Sequence, residues 1–238
     1  MLKKAILFDL DGTLLPMNTN EFVRAYFGLL GKQMIAHGYD PEKFKKGMWG
    51  GVEASIRNDG SMLNEERFWS VMNHVMEKDC REDAEIFEEF YRNEYHQAKT
   101  VCGFNPLAAE AVKLAREKAE KVILATSPLY PAIAIEGRLS WAGLKMEDFD
   151  LVTTYDTERF CKPNPAYYAD IIARFGYEPA ECVMIGNDEK EDMWGAEKAG
   201  IQGYLVTDDL IPSEDHPHTG LRGTFAELLE WLKQMSAE

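Results

Sequence analysis

Two aspartates near the start of the chain, Asp9 and Asp11, have a spacing that suits metal binding and acid–base chemistry. They follow the apolar run Ala5–Phe8, which is short and apolar enough to be a buried strand of a parallel sheet. Ligands bind at the carboxyl ends of such strands, and residues two apart on an extended backbone point to the same side. Gly12 then allows a sharp turn. Because two adjacent carboxylates repel unless a cation or a proton separates them, the pair predicts a Mg²⁺ site with one ionised and one protonatable acid.

Two later segments carry groups that can hold an anionic oxygen. An apolar segment from residue 121 ends in the hydroxyl pair Thr126 and Ser127, and hydroxyls with nearby backbone N–H groups can bind a phosphoryl oxygen. Lys162 lies in a loop that Pro163 and Pro165 stiffen, and it would supply a fixed positive charge. Taken singly, each segment has an ordinary explanation, since Ser and Thr form turns and loop lysines are usually solvated.

A fourth segment again joins an apolar strand to acids. The run 183–186 leads into Asp188 and Asp192, which are four residues apart and would share one face of a helical turn. An acidic helix N-terminus, which the helix dipole favours, is the alternative explanation, and it accounts well for Glu189 and Glu191. It does not account for the strand that precedes the acids.

Together, in this order, the four segments resemble the motifs of the haloacid dehalogenase superfamily in its phosphatase form. Asp9-Leu10-Asp11-Gly12-Thr13 is similar to the first motif, Thr126 to the second and Lys162 to the third. Asp188 and Asp192 are similar to the fourth, with Asn187 as an extra residue after Gly186, and Ser127 stands where the family often has Asn. The resemblance extends over roughly residues 3–206, although its motifs contain few of them.

The resemblance implies a role for each of these residues. Asp9 would attack phosphorus to form an aspartyl-phosphate, and the Asp11 carboxyl would serve as general acid and then as general base. Mg²⁺ would be held by Asp9, Asp188 and the backbone carbonyl of Asp11. The phosphoryl group would be bound by Thr126, Ser127 and Lys162. Asp192 would hold Lys162 in position.

The predicted function is therefore Mg²⁺-dependent hydrolysis of a small phosphorylated metabolite, with alternatives left open. A phosphosugar mutase uses the same motifs and differs only in whether water or a sugar accepts the phosphoryl group. A haloacid dehalogenase needs neither metal nor acid, so Asp11 argues against it, and a phosphonatase would need a lysine such as Lys45 or Lys46 as a Schiff base. A signalling receiver domain or another non-catalytic phosphoryl-binding module is the alternative outside enzymes, but receivers lack the long insertion seen here.

The elements that position these residues alternate between strand and helix. Strands are expected near residues 122–126, 151–154, 182–186 and 202–206, with helices between them and a last helix near 224–234. From about residue 20 to 97 the apolar residues instead keep helical spacing, and we expect about four helices there. The pattern predicts an α/β fold, a doubly wound parallel sheet of the Rossmann type, with an inserted helical cap. The predicted bounds are 1–16 and 100–238 for the core and 17–99 for the cap.

The core motifs recognise only a phosphoryl group, so the rest of the substrate should contact the insertion. Its glycine-interrupted stretch, residues 47–60, contains Trp49, which offers a stacking face, and Arg57, which could bind a second anionic group. An equally open explanation is that Trp49 packs inside the cap and that Arg57 is a solvated cation at the surface, with no role in substrate binding.

Composition fits a cytoplasmic enzyme. The 238 residues include four cysteines without a Cys-x-x-Cys spacing, as expected in a reducing compartment. The short apolar run before Asp9 argues against a signal peptide, and no segment is long enough to predict a membrane span. A net charge of −15 argues against a nucleic-acid partner. It also means that a site for an anionic substrate needs local positive charge, which Mg²⁺ and Lys162 would supply. The sequence leaves the oligomeric state open between monomer and dimer.

Overall fold

A parallel six-stranded sheet forms the centre of the structure, a computed structural model that describes residues 3–235. The strand order is β3-β2-β1-β4-β5-β6, and every neighbouring pair is parallel. The strands are β1 (Lys3–Phe8), β2 (Ala119–Leu124), β3 (Leu151–Val152), β4 (Cys182–Gly186), β5 (Gln202–Val206) and β6 (Leu221–Gly223). The predicted doubly wound α/β fold is thus confirmed, and the short edge strand β6 is added to it.

Nine α-helices cover the sheet and fill the insertion within the described residues. They are α1 (Thr19–Ala36), α2 (Pro41–Ile56), α3 (Asn64–Met76), α4 (Ala84–Arg92), α5 (Ala108–Lys118), α6 (Ala132–Trp141), α7 (Pro165–Ala173), α8 (Gly195–Lys198) and α9 (Phe225–Gln234). Short 3₁₀ turns span Cys80–Asp83, Glu94–Val101, Met146–Asp148 and Pro179–Glu181, and a π-helical turn spans Glu189–Trp194. None of the helices in residues 3–235 has the length and apolarity needed to cross a membrane.

Local sequence sets several of the helix starts. Asn18 caps α1 by accepting hydrogen bonds from two backbone N–H groups of the first turn. Asp40 caps α2 in the same way, with a proline in the first helical position, and Asn164 caps α7 with the same arrangement. Thr224 and Glu227 form a reciprocal capping box at α9.

The two faces of the sheet bury alternate residues of each strand. Ile6 and Phe8 point towards a large cluster with α5, α6, α9 and the helices of the insertion. Ala5 and Leu7 point to the opposite face, where they pack with α7 and α8. The strands of the centre are therefore buried on both sides, which explains why their sequences are continuous apolar runs.

The chain leaves the sheet for α1–α4 and returns through two adjacent segments. Met17 and Cys102 form an antiparallel bridge, and the Gly103 N–H donates to the Pro16 carbonyl at 2.7 Å. The helical segment between them has its own aromatic contacts, such as the hydrogen bond between the Tyr26 and Tyr91 hydroxyls (2.8 Å). The junction lies close to the predicted cap bounds 17–99, and that division into core and cap stays a prediction.

Candidate active site

A cavity of about 180 Å³ lies at the carboxyl ends of β1, β2 and β4. Asp9, Thr126 and Asp188 border it from the three strand ends, in line with the rule that parallel sheets bind ligands at this edge. Phe22 and Val23 of α1 border it from the insertion. The cavity is therefore formed jointly by the sheet and the helical segment.

Asp9 is fixed in this cavity by a buried lysine. The Lys162 ammonium donates to Asp9 Oδ1 at 2.8 Å and to Asp192 Oδ1 at 2.6 Å. Lys162 is 1% exposed and Asp9 7%. Burial alone would lower the pKa of Lys162, but the two carboxylates outweigh it and raise that pKa well above its usual range. Lys162 is consequently a permanent positive charge beside Asp9.

Asp192 supports this arrangement from behind. Its Oδ2 accepts hydrogen bonds from the backbone N–H groups of Asn187 and Asp188, both at 3.0 Å. Burial raises the pKa of the Asp192 carboxyl, while Lys162 and the backbone hydrogen bonding act in the opposite direction. A Cβ on Gly186 would lie 2.2 Å from Asp192 Oδ2, so only glycine leaves room for this carboxylate. Asp192 thus contacts Lys162 as expected from the sequence, and its role in a catalytic site stays a prediction.

Asp11 has a partner that sequence analysis did not anticipate. Arg138, which lies on α6 and is fully buried, donates from Nη1 to Asp11 Oδ2. The guanidinium is also stacked 4.2 Å from the centre of the Tyr130 ring. Asp11 Oδ1 is buried and has no hydrogen-bond partner among the described residues. Burial raises the pKa of Asp11, and the charge of Arg138 opposes that rise.

The turn after β1 is tied to the loop after β4. The Thr13 hydroxyl lies within hydrogen-bond distance of Asp9 Oδ2 (3.3 Å) and Asn187 Oδ1 (3.1 Å). The Asn187 amide nitrogen in turn donates to the Asp209 carbonyl at 2.6 Å. Gly12 adopts a φ of +84°, and a Cβ there would lie 2.3 Å from the Asn187 amide. Asn187, the extra residue after Gly186, thus holds in place the turn after β1, which begins at Asp9 and contains Asp11.

Glu191 is a second group that sequence analysis did not select. It borders the cavity and accepts a hydrogen bond from the Ser127 hydroxyl at 2.9 Å. Burial is the main reason why its pKa is raised to about 7. It lies in the π-helical turn Glu189–Trp194, a local irregularity that often occurs at functional sites. No sequence signal separates Glu191 from the other acids of this segment.

The oxygen ligands at the strand ends fit a small hard cation such as Mg²⁺. Asp9, Asp11 and Asp188 border one cavity, and Asp11 Oδ1 lacks a partner among the described residues. In residues 3–235, however, no three His, Cys, Asp or Glu side chains lie close enough to hold a metal by themselves. Since Arg138 holds the Asp11 carboxylate, Asp9 and Asp188 would need a backbone carbonyl and waters to complete the coordination. The ligand set of Asp9, Asp188 and the Asp11 carbonyl stays a prediction.

The structure brings most of the predicted site residues together. Those that border the cavity are Asp9, Asp11, Thr126, Ser127, Asp188 and Asp192. Lys162 lies in contact with Asp9 and Asp192. Arg57 is not brought to this cavity: its side chain is 77% exposed at the end of α2 and pairs with Glu53, one helical turn away. Trp49 stacks on Phe27 with 4.7 Å between ring centres, so it packs within the insertion while remaining partly exposed.

Comparison with known proteins gives a family match over most of the chain. The model for haloacid dehalogenase-like hydrolases matches residues 3–200. Pyrophosphatase PpaX from Bacillus cereus is 26% identical over 204 residues, which are 85% of this chain and 82% of that protein. Glyceraldehyde 3-phosphate phosphatase from Methanothermobacter thermautotrophicus is 37% identical over 89 residues, which are only 37% of this chain and 39% of that protein.

Among solved structures, the 2-haloacid dehalogenase from Pseudomonas syringae pv. Tomato has a TM-score of 0.66. It is 17% identical, and the alignment covers 99% of this chain and 100% of that one. At this identity the likeness shows the fold alone. It does not distinguish reaction at carbon from reaction at phosphorus.

Proposed function

The chain belongs to the haloacid dehalogenase-like hydrolase family, and we propose that it is a Mg²⁺-dependent phosphatase acting on a small phosphate ester. The observation that best supports this proposal is the position of the Asp9 carboxylate at the end of a strand. It is hydrogen-bonded to the buried Lys162 and lies beside a second acid, Asp11. The names of relatives that cover most of the chain support hydrolysis at phosphorus. The presence of Asp11 supports it too, since a halide leaving group needs no acid.

In the proposed reaction, an oxygen of Asp9 attacks phosphorus while the bond between phosphorus and the ester oxygen breaks. Lys162 stabilises negative charge on the transferring phosphoryl group without changing its own protonation state. The Thr126 hydroxyl would hydrogen-bond a phosphoryl oxygen, and the Ser127 hydroxyl would do so by exchanging its present bond to Glu191. Water then attacks the aspartyl-phosphate, which releases inorganic phosphate and regenerates Asp9.

Asp11 acts in both steps as the proton carrier. It protonates the departing ester oxygen in the first step and takes a proton from water in the second. Because Arg138 holds Oδ2, the proton is carried by Oδ1, the oxygen without a partner among the described residues. Arg138 therefore orients the carboxyl and leaves Oδ1 without a competing hydrogen bond.

Asp9, Asp188 and the Asp11 carbonyl would hold Mg²⁺, which would supply positive charge that offsets the oxygens of the phosphoryl group. Asp188 is oriented for this purpose, since its Oδ1 accepts hydrogen bonds from the N–H groups of Lys190 (2.8 Å) and Glu191 (2.7 Å). A net charge of −15 makes such local cations necessary for an anionic substrate.

Phosphate release tests the proposal. The purified protein should release phosphate from p-nitrophenyl phosphate only with Mg²⁺, and glyceraldehyde 3-phosphate and pyrophosphate should be compared as a monoester and an anhydride. Peptide mass spectrometry of acid-quenched enzyme should find the phosphoryl group on Asp9. Asp9→Asn should remove both signals, whereas the control Asp215→Asn, at an exposed aspartate, should keep them. Normal turnover by Asp9→Asn would refute the mechanism.

The same experiment separates a phosphatase from a mutase. A mutase transfers the phosphoryl group to a sugar, so its phosphoenzyme persists in water until a sugar phosphate is added. Rapid loss of the phosphoryl group from Asp9 in water alone supports the phosphatase. Persistence until a sugar phosphate is added supports the mutase.

A further inference from the structure

A second cavity, of about 130 Å³, lies within the insertion beside the candidate active site. Helices α1–α4 and the loop after β2 enclose it. Aromatic rings dominate its wall, among them Phe27, Trp69, Tyr91, Tyr130 and Tyr155, and none of the described residues that line it carries a charge. The Tyr26 and Tyr91 hydroxyls bond to each other at 2.8 Å and so satisfy one another. This is an apolar site.

The apolar cavity lies directly beside the catalytic one. Val23, Leu129 and Tyr130 line both and form the wall that the two cavities share. A group attached to the ester oxygen of a bound phosphate would reach the apolar cavity past these three side chains. This shared wall distinguishes the cavity from an isolated packing void in the core of the insertion.

We propose that the apolar cavity binds the alcohol part of the substrate, and that the substrate is the phosphate monoester of an alcohol carrying an apolar group the size of one ring. The proposal rests on the proposed phosphatase function. An apolar cavity of about 150 Å³ in another protein binds benzene, so the volume here suits a single ring. Hydroxyl-rich or doubly anionic alcohol parts are disfavoured, because their polar groups would be desolvated without charged partners.

A matched series of esters tests this substrate class. Phosphates of 2-phenylethanol, 3-phenylpropanol and 4-phenylbutanol are compared with ethyl, propyl and butyl phosphate, which have alkoxide leaving groups of the same kind. Ring burial should raise kcat/KM by about tenfold or more for at least one chain length, mainly through a lower KM. An optimum in chain length would reflect the passage past Tyr130. Equal kcat/KM values within each pair would overturn the proposal.

A variant pair on α2 tests the location. Val52 lines the apolar cavity, whereas Ile56, one helical turn further on, is exposed. Val52→Phe fills the cavity and should reduce the phenylalkyl preference to that of the plain alkyl esters, while Ile56→Phe should retain it. Circular dichroism and thermal unfolding check that both variants fold. Retention of the preference by a folded Val52→Phe protein would overturn the location.

A binding measurement separates this inference from the proposed function and needs no variant. Because Trp49 and Trp69 line the cavity, 3-phenylpropanol should change tryptophan fluorescence in Mg²⁺-free protein, whereas 1,3-propanediol should not. Phosphate release without ring preference, together with no fluorescence change, would overturn the inference and leave the phosphatase intact. Binding of the alcohol without hydrolysis of any ester would support the apolar site and overturn the phosphatase.

Discussion

Replacing Arg138 with methionine should destabilise the protein more than any comparable change at a surface arginine. Arg138 is completely buried and its Nη1 donates to the Asp11 carboxylate, so Arg138→Met leaves that carboxylate without its cation. Removing one partner of a buried pair costs about 3–5 kcal/mol. The Asp11 side chain keeps 22% exposure, which lets water replace part of the lost interaction. We therefore expect a loss near the lower limit, about 3 kcal/mol, or a fall in Tm of about 6–12 °C for a chain of this length.

Urea and thermal unfolding of a double-mutant cycle measure this pair directly. The double variant Arg138→Met/Asp11→Asn removes both charges, so it should be more stable than Arg138→Met by about 1–2 kcal/mol. Arg92→Met is the control, because Arg92 pairs with Glu88 on the surface, where their side chains are 65% and 55% exposed; no measurable change is expected. A loss below about 1 kcal/mol for Arg138→Met, or strict additivity in the cycle, would refute the assignment of Arg138 as the partner of Asp11.

Four further predictions concern the candidate site. Asp9→Asn should abolish phosphate release while the protein still folds, because a carboxamide neither attacks phosphorus nor holds Mg²⁺ well; residual normal turnover would contradict this. Asp11→Asn should slow alkyl phosphates far more than aryl phosphates, since poor leaving groups need the proton, and equal losses in kcat would leave Asp11 only a structural role. Asp188→Ala should raise the Mg²⁺ concentration for half-maximal activity by about tenfold or more, and chelation should stop the wild-type enzyme; full activity after metal removal would exclude the metal role. Arg57→Ala should leave KM unchanged, because its exposed side chain pairs with Glu53 away from the cavity, and a rise in KM confined to the natural ester would show the opposite.

The sequence predicted the elements that carry the site, because each has a local signal. Apolar runs followed by Asp9, Thr126 and Asp188 predict buried strands with polar residues at their ends, and β1, β2 and β4 end just before these residues. These features depend on neighbours in the chain and not on the tertiary arrangement.

The features that were not predicted depend on contacts between distant residues. Arg138 lies on a largely buried helix, and only the packing of α6 against the turn after β1 brings it to Asp11, 127 residues away in the chain. Glu191 is one of several acids at a helix start, and only its hydrogen bond with Ser127, 64 residues away in the chain, distinguishes it from them. The edge strand β6 has three residues, and both Leu221 and Arg222 are exposed, so no apolar run marks it.

The antiparallel bridge between Met17 and Cys102 has a consequence for protein engineering. The outgoing and returning backbones lie side by side, so the chain enters and leaves this segment at neighbouring peptides. The segment also contacts the rest of the chain at the start of α3, where the Asn64 and Glu65 N–H groups donate to the Glu158 and Tyr155 carbonyls, both at 2.8 Å. A replacement segment whose ends lie equally close together would leave the distance between the two splice points unchanged. Chimaeras joined at Pro16 and Gly103, whose backbones are hydrogen-bonded at 2.7 Å, should therefore keep the phosphoryl chemistry and acquire the substrate range of the donor.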